Sequence, residues 1–448
     1  MVATLETVIA PPATPSPDFV PTGPDVARMR AVRRFIDQYL PTPQRPVYDS
    51  VVIAGGKGIT AYTLAARLAR SPQFAGRVVV AGPPVEETRQ LRNGVSMRGT
   101  AADFISYALA CPQATFIRQV IGPQAAGQPV ATRQTTAIVT VDPTTGRASF
   151  SRPTAWQGGR HGLGRPIMYG ARNTRIANAV RELLHSDGIV ETDEAVASLD
   201  DARSLALGKR PLLVNLTTNP TLFGRPAPPI TRVTLAAQMA LRVRPGGIRR
   251  PLTPATCFAP LVHRNNAIDV GYFTPFADPL SPDASWYGLM VAPRRSLDGL
   301  DKAREVEILA DEVRAVADAV GLEPVDRDVT LFGGMIPAPP LGQWQRSAPG
   351  TLEMRSLCTP GGVAYYADGI LGGAIGAVIA AEALLRGADP EEAVHRALRR
   401  YVWWNDLWWF ETTRLAGVVN ALVSRPPLSR LALAYPHSWS VNHWASRG

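Results

Sequence analysis

The feature that most constrains the fold is the run Val51-Val-Ile-Ala-Gly-Gly-Lys-Gly-Ile-Thr-Ala61. Val51 to Ala54 form an uninterrupted apolar stretch, the pattern of a parallel strand buried on both faces. Gly55, Gly56 and Gly58 then break it, and Ile59 to Arg70 repeats apolar residues at helical spacing. A strand, a tight turn and a helix therefore follow one another directly. Such a turn brings backbone close to an anion. A helix N-terminus presents unpaired N–H groups and a partial positive charge, and glycine removes the Cβ that would hold a ligand off. Read from Gly56, the spacing Gly56-x-Gly58-x-x-Ala61 satisfies the dinucleotide fingerprint; read from Gly55, it fails at Lys57. Lys57 itself is open to two uses, a charge contact with phosphate or a place in solvent.

The chain has 448 residues, more than one core usually serves, so two or more domains are expected. Its formal charge of +10 comes mostly from arginines that are scattered and not interleaved with aromatics. That distribution favours solubility and anionic small molecules over nucleic acid. Cys111, Cys257 and Cys358 lie far apart with no histidine at metal spacing, which argues against a disulfide framework or a structural metal. Residues 1–24, rich in Ala, Pro and Thr, read as a tail and not as a signal peptide. The longest apolar run, Gly369 to Ala381, is too short to cross a bilayer, so a cytoplasmic protein without an integral membrane segment is expected.

Along the chain, Pro24 to Leu40 has helical periodicity and is stopped by Pro41, Pro43 and Pro46. Gly76 to Gly82 reads as the second parallel strand of a βαβ unit. The fingerprint calls for an acid at its end to hold ribose hydroxyls, but Ala81, Gly82, Pro83 and Pro84 stand there, and Glu86 and Glu87 come several residues late. Arg89, Arg92 and Arg98 follow and suit a diphosphate or a solvated surface. Thr132 to Phe150 alternates around Asp142-Pro-Thr-Thr-Gly146, which predicts a hairpin. A glycine-rich loop from Trp156 to Tyr169, a helix over Arg172 to Leu184 and strands at Ile189 to Thr192 and Pro211 to Thr217 come next. The proline-rich link Gly224 to Pro229 marks a domain boundary. Beyond it, Thr231 to Val243, Cys257 to Val262, Ala267 to Phe276 and Ser285 to Val291 predict a mainly antiparallel sheet, and Leu300 to Val320 an amphipathic helix.

A second glycine stretch, Gly361-Gly-Val-Ala-Tyr-Tyr-Ala-Asp368-Gly-Ile-Leu-Gly-Gly373, repeats the logic of the first. A strand over Val363 to Ala367 ends in one acid, followed by glycines and a helix of small apolar residues. Asp368 there either accepts hydrogen bonds from a polyol or caps a buried helix. From Tyr401 onward the chain holds six of its nine tryptophans, as packing, as a wall for an apolar substrate or as a membrane-surface contact.

The order of these pieces resembles FAD-dependent oxidoreductases of the p-hydroxybenzoate-hydroxylase-like class, the aromatic monooxygenases and related flavoprotein cyclases. The resemblance implies an α/β fold: a Rossmann-like FAD-binding domain with a parallel sheet, interleaved with a mainly antiparallel substrate domain, and a helical C-terminal segment. It divides the chain into a tail and helix (1–46), the first part of the FAD domain with an inserted hairpin (47–225), a substrate domain (226–345), the last part of the FAD domain (346–400) and an aromatic-rich end (401–448). It places the FAD diphosphate on Gly56, Lys57, Gly58, Ile59, Thr60 and Ala61 with Arg92, and the ribityl and ring region on Asp368, Gly369, Gly372 and Gly373. The family's middle Asp-Gly motif is missing, with only Val214-Asn-Leu-Thr-Thr-Asn219 in its place.

On this resemblance the expected activity is an FAD-dependent oxidoreductase or monooxygenase, reduced by NAD(P)H, acting on a largely apolar natural-product intermediate. The alternative is a [4+2] cyclase of a polyketide pathway whose FAD is structural. His263, Tyr272, Trp286 and Tyr287 are candidate cavity residues, and no residue stands out as general acid or base. Oligomeric state is not legible.

Overall fold

The computed structural model describes residues 24–40, 47–84, 94–121, 133–156 apart from 143, 168–184, 188–224 apart from 218 and 220, 232–253, 256–264, 267–276, 283–294, 299, 301–325, 332–338, 346–354, 369–399, 410 and 414–423. The chain opens with helix α1 (Pro24–Tyr39), then β1 (Ser50–Ala54), α2 (Ile59–Ala69) and β2 (Val78–Ala81). β3 (Gly94–Arg98), α3 (Gly99–Leu109), α4 (Gln113–Ile121), β4 (Arg133–Val141), β5 (Ala148–Trp156), β6 (Met168–Arg172) and α5 (Asn173–Leu184) follow. β7 (Ile189–Thr192), α6 (Leu199–Ser204) and β8 (Pro211–Asn215) lead into β9 (Arg232–Val243), β10 (Thr256–Arg264), β11 (Ala267–Pro275) and β12 (Trp286–Arg294). The last part holds α7 (Lys302–Ala319), β13 (Leu322–Pro324), β14 (Phe332–Ala338), β15 (Thr351–Glu353), α8 (Gly369–Leu385), a helix α9 over 390–399 and α10 (Ala416–Val423).

Short runs of branched apolar residues make the first sheet, ordered β15-β8-β1-β2-β7 with every pairing parallel. Side chains alternate across it. Val51, Ile53, Val78, Val80, Leu212 and Val214 face a thick layer of helices, while Val52, Ala54, Val79 and Leu213 meet Ala202, Leu222 and Phe223 on the thinner side. The chain runs outward from β1 through β2 to β7 and then returns to β8 on the far side of β1. Strand order therefore reverses at β1, and the carboxyl edge there is where an open parallel sheet binds its ligand. Within the helical layer α8 is apolar all round but for Glu382 and is buried from 370 to 384, the signature of a helix enclosed by its neighbours.

The second sheet runs β13-β9-β12-β11-β10-β4-β5, with β14 on the same edge of β9 as β13. All its pairings are antiparallel except β10 with β4. The predicted hairpin therefore exists as β4 and β5 but pairs into this sheet through β10, and not into the parallel sheet whose strands flank it in the sequence. Phe332 to Ala338, rich in glycine and proline, is strand β14; at an outer edge Pro337 interrupts no ladder on its free side. One face of the sheet packs Phe258, Val262, Phe273 and Met290 against Leu309, Val313 and Val316 of α7. From the other face Ala259, Ile268 and Val270 join the core of the first sheet's helices, so a continuous apolar core ties the two halves. β3 and β6 form a separate antiparallel pair.

Helix α7 is also held electrostatically. Arg264 at the end of β10 bonds Asp269 of β11 (2.9 Å) and Glu305 of α7 (2.9 Å), with Glu312 3.3 Å away. Burial works against the guanidinium's charge, but the three carboxylates outweigh it and hold its pKa above the ordinary arginine value. Asp269 and Glu312 are themselves buried, and Arg264 is a counter-charge they share. Arg264→Met removes that shared counter-charge from a buried cluster and is expected to cost roughly 3–5 kcal/mol, read as a lowered denaturation midpoint relative to the parent chain.

Candidate functional site

The glycine loop after β1 has the backbone its sequence requires. Gly56 sits at φ +104°, a region side chains rarely adopt, and Gly58 is extended (φ −96°, ψ 175°) as the N-cap of α2. No side chain caps the helix, and its first internal bond runs from the Tyr62 N–H to the Gly58 carbonyl (3.0 Å). The N–H groups of Ile59, Thr60 and Ala61 precede that bond and have no helical partner. A Cβ built on Gly56 or Gly58 would find no atom of the described residues within 4 Å. Ile59 and Ala61 point their side chains into the core.

The second glycine stretch meets the first. A Cβ on Gly373 of α8 would lie 2.2 Å from the Thr60 hydroxyl oxygen in the first turn of α2. Farther along both helices the Arg67 Nε–H donates to Glu382 (2.7 Å). α2 and α8 thus run side by side in one direction with their N-terminal ends together, and Gly373 is the residue that permits the approach. Gly369 and Gly372 belong to the same first turns of α8, and Gly372 is buried. Arg92 and Asp368, the strand expected over Val363 to Ala367, and the tryptophan-rich segments 401–409 and 424–448 lie outside the described residues.

Lys57 goes to neither of the places its sequence context suggested. Its side chain is 5% exposed, and the ammonium is paired with Asp193, with Glu191 3.9 Å away. These carboxylates come from the end of β7, the strand outside β2. Glu191 also binds Arg181 (2.9 Å) and accepts from the Tyr62 hydroxyl (3.4 Å). The two acids are functional neighbours that sequence reading missed. The signal for them was Glu191 inside a short apolar strand, and nothing local connects it to a loop 136 residues earlier than Asp193.

On the other side of β1, Asn215 is buried and closes the turn after β8. Its Oδ1 accepts from the Thr217 N–H (2.9 Å) and its amide donates to the Asn219 carbonyl (2.9 Å) and to Glu353 at the end of β15. Where the family resemblance expected an Asp-Gly motif, this chain has a self-contained turn. Of the four candidate cavity residues, Trp286 packs in the α7 core and faces away from the first sheet. Tyr287 is buried edge-on against Phe276 (5.2 Å), and Tyr272 is packed against the first sheet's helical core. His263 has a buried Nε2 with no hydrogen-bond partner. Burial pushes the Cys111 thiol up to about 12, which removes it as a nucleophile at neutral pH. Among the described residues no group of three or more His, Cys, Asp or Glu is disposed to hold a metal, and no helix is long and apolar enough to cross a membrane.

No protein-family model and no curated protein sequence matches the chain. Solved structures do. BrvH, a flavin-dependent halogenase from Brevundimonas sp. BAL3, aligns over 90% of this chain and 95% of its own at 15% identity and a TM-score of 0.50. MibH, a tryptophan 5-halogenase, aligns over 91% and 87% at 14% identity and a TM-score of 0.49. SttH, a tryptophan 6-halogenase from Streptomyces toxytricini, aligns over 88% and 91% at 13% identity and a TM-score of 0.48. The likeness, at 15% identity, is one of fold alone: an α/β architecture with a parallel sheet and a second, mixed sheet.

Tested against FAD, the diphosphate end fits: an uncapped helix N-terminus, a positive-φ glycine and no atom of the described residues within 4 Å of where two Cβ atoms would be. The convergence of α8 on the same spot adds a second helix N-terminus. Gly58→Val tests that fit without disturbing the chain, because φ −96° accepts any side chain and its Cβ meets no atom of the described residues. The helix loses about 1 kcal/mol or less of capping. The expected outcome is a folded protein whose flavin affinity, followed by fluorescence quenching, drops at least about tenfold.

Proposed function

We propose that the protein is an FAD-dependent oxidoreductase of the monooxygenase type, acting on a largely apolar small molecule such as a natural-product intermediate. The observation that carries this reading is the meeting of the two glycine stretches, at Thr60 and Gly373, on the edge of the parallel sheet where strand order reverses. The fold likeness to a flavin-dependent halogenase supports a flavin in that position.

Gly56, Gly58 and the N–H groups of Ile59, Thr60 and Ala61 would hold the diphosphate, and the first turns of α8 would face the remainder of the cofactor. Bound FAD supplies the electron chemistry, with NAD(P)H as the reductant and oxygen as co-substrate. The chain's own contribution is to hold the cofactor and to exclude water. The second sheet buries Ala259, Ile268 and Val270 in the core shared with the first half, and this dry contact holds the two halves together. His263 and Tyr272 lie on the same face of β10 and β11 as these residues.

The absorption spectrum of the purified protein is the test. Flavin colour that bleaches with NADPH and returns in air is the outcome expected. Flavin colour indifferent to NAD(P)H, together with turnover of a polyene, moves the assignment to a cyclase with structural FAD. A colourless protein that FAD cannot reconstitute ends both.

A further inference from the structure

The acid that the fingerprint places after the second strand has no room in this chain. Ala81 of β2 pairs with Thr192 of β7, and the Gly82 N–H donates to the Thr192 carbonyl (3.2 Å). Gly82 has φ +147°, and a Cβ on it would sit 2.5 Å from the Gly56 nitrogen. Any carboxylate there would push into the glycine loop itself. One strand farther out and at the same level, the residue after Thr192 is Asp193.

Three observations single out Asp193. Its carboxylate is tied by the buried Lys57 ammonium to the very loop that would carry the diphosphate. The glycine loop and the lysine side chain together bridge from the end of β1 past the end of β2 to the end of β7, two strand spacings or about 10 Å. The ribose of a nucleotide whose diphosphate rests on that loop must lie along the same path. Finally, the Asp193 side chain is 69% exposed, so a carboxylate held on one side by Lys57 still offers lone pairs to hydroxyl donors. Glu191, by contrast, is enclosed by Arg181, Tyr62 and Lys57.

We infer that Asp193, positioned by Lys57, accepts the hydrogen bonds of the cofactor's adenosine ribose in place of the acid missing from the end of β2. The lysine also cancels the charge that an unpaired carboxylate would set beside the diphosphate. This inference rests on the FAD reading above.

The test compares FAD with an FAD analogue deoxygenated at the adenosine ribose, titrated into flavin-stripped full-length protein. The parent chain is expected to bind FAD roughly 10- to 100-fold more tightly than the analogue, the effect of a hydrogen bond to a charged group. In Asp193→Ala that preference disappears, and in Asp193→Asn, which keeps shape and one acceptor, it is reduced. Glu191 remains as partner for Lys57 in both variants, and their unfolding midpoints report any loss of structure. A purely structural role would weaken both ligands equally, so an unchanged preference in Asp193→Ala overturns the assignment while leaving the FAD reading intact. A parent chain that binds FAD and its analogue equally does the same. A parent chain that binds neither overturns the FAD reading, and this inference with it.

Discussion

Two α-helices packed side by side in the same direction crowd about half a positive charge each at their adjacent N-termini. α2 and α8 are packed in this way, and the arrangement is possible only because Gly373 lets the backbone of α8 come against Thr60. At their other ends Arg67 and Glu382 pair, and Tyr107 donates to the same carboxylate (2.8 Å). The ends that repel lie at the sheet's carboxyl edge, and a bound anion is what would relieve the repulsion. The parallel sheet aims both helices, and the second sheet contributes Ala259, Ile268 and Val270 to their core.

The junction explains why the site is asymmetric. On the β8 side, Asn215 and Thr217 satisfy each other and the loop is closed. On the β7 side, charged groups accumulate: Lys57, Glu191, Asp193 and Arg181. A common fold hosts many chemistries, and what belongs to this chain is the way its charged flank is made from a loop lysine and a late strand.

Much of this was legible in the sequence. Val51 to Ala61 announced strand, turn and helix because buried strands and helices have different periods, and Leu300 to Val320 announced α7 for the same reason. The convergence of the two glycine stretches was implied by the family resemblance, which sets both on one cofactor. What was not legible has physical causes. Lys57 reads as phosphate ligand or solvent residue because its partner is remote in sequence. Gly82 reads as a missing acid, when the distance to Gly56 forbids any side chain there. β14 looks like a loop by composition, since pairing with β9 and not propensity makes it a strand. The hairpin β4–β5 sits in one half by order and in the other by hydrogen bonding, because parallel pairing to β10 leaves no local trace.

That displaced hairpin bears on how the chain acquires its shape as it is made. β4 finds its neighbour β10 only after more than a hundred further residues have been synthesised, and the first sheet lacks its outer strand until β15 appears. α8, which fills the helical layer, comes later still. Contacts this remote are slow to form, and neither half reaches its final core before the other is available. The nascent polypeptide thus carries unpaired strand edges through most of translation, a state that invites association with other chains and with chaperones.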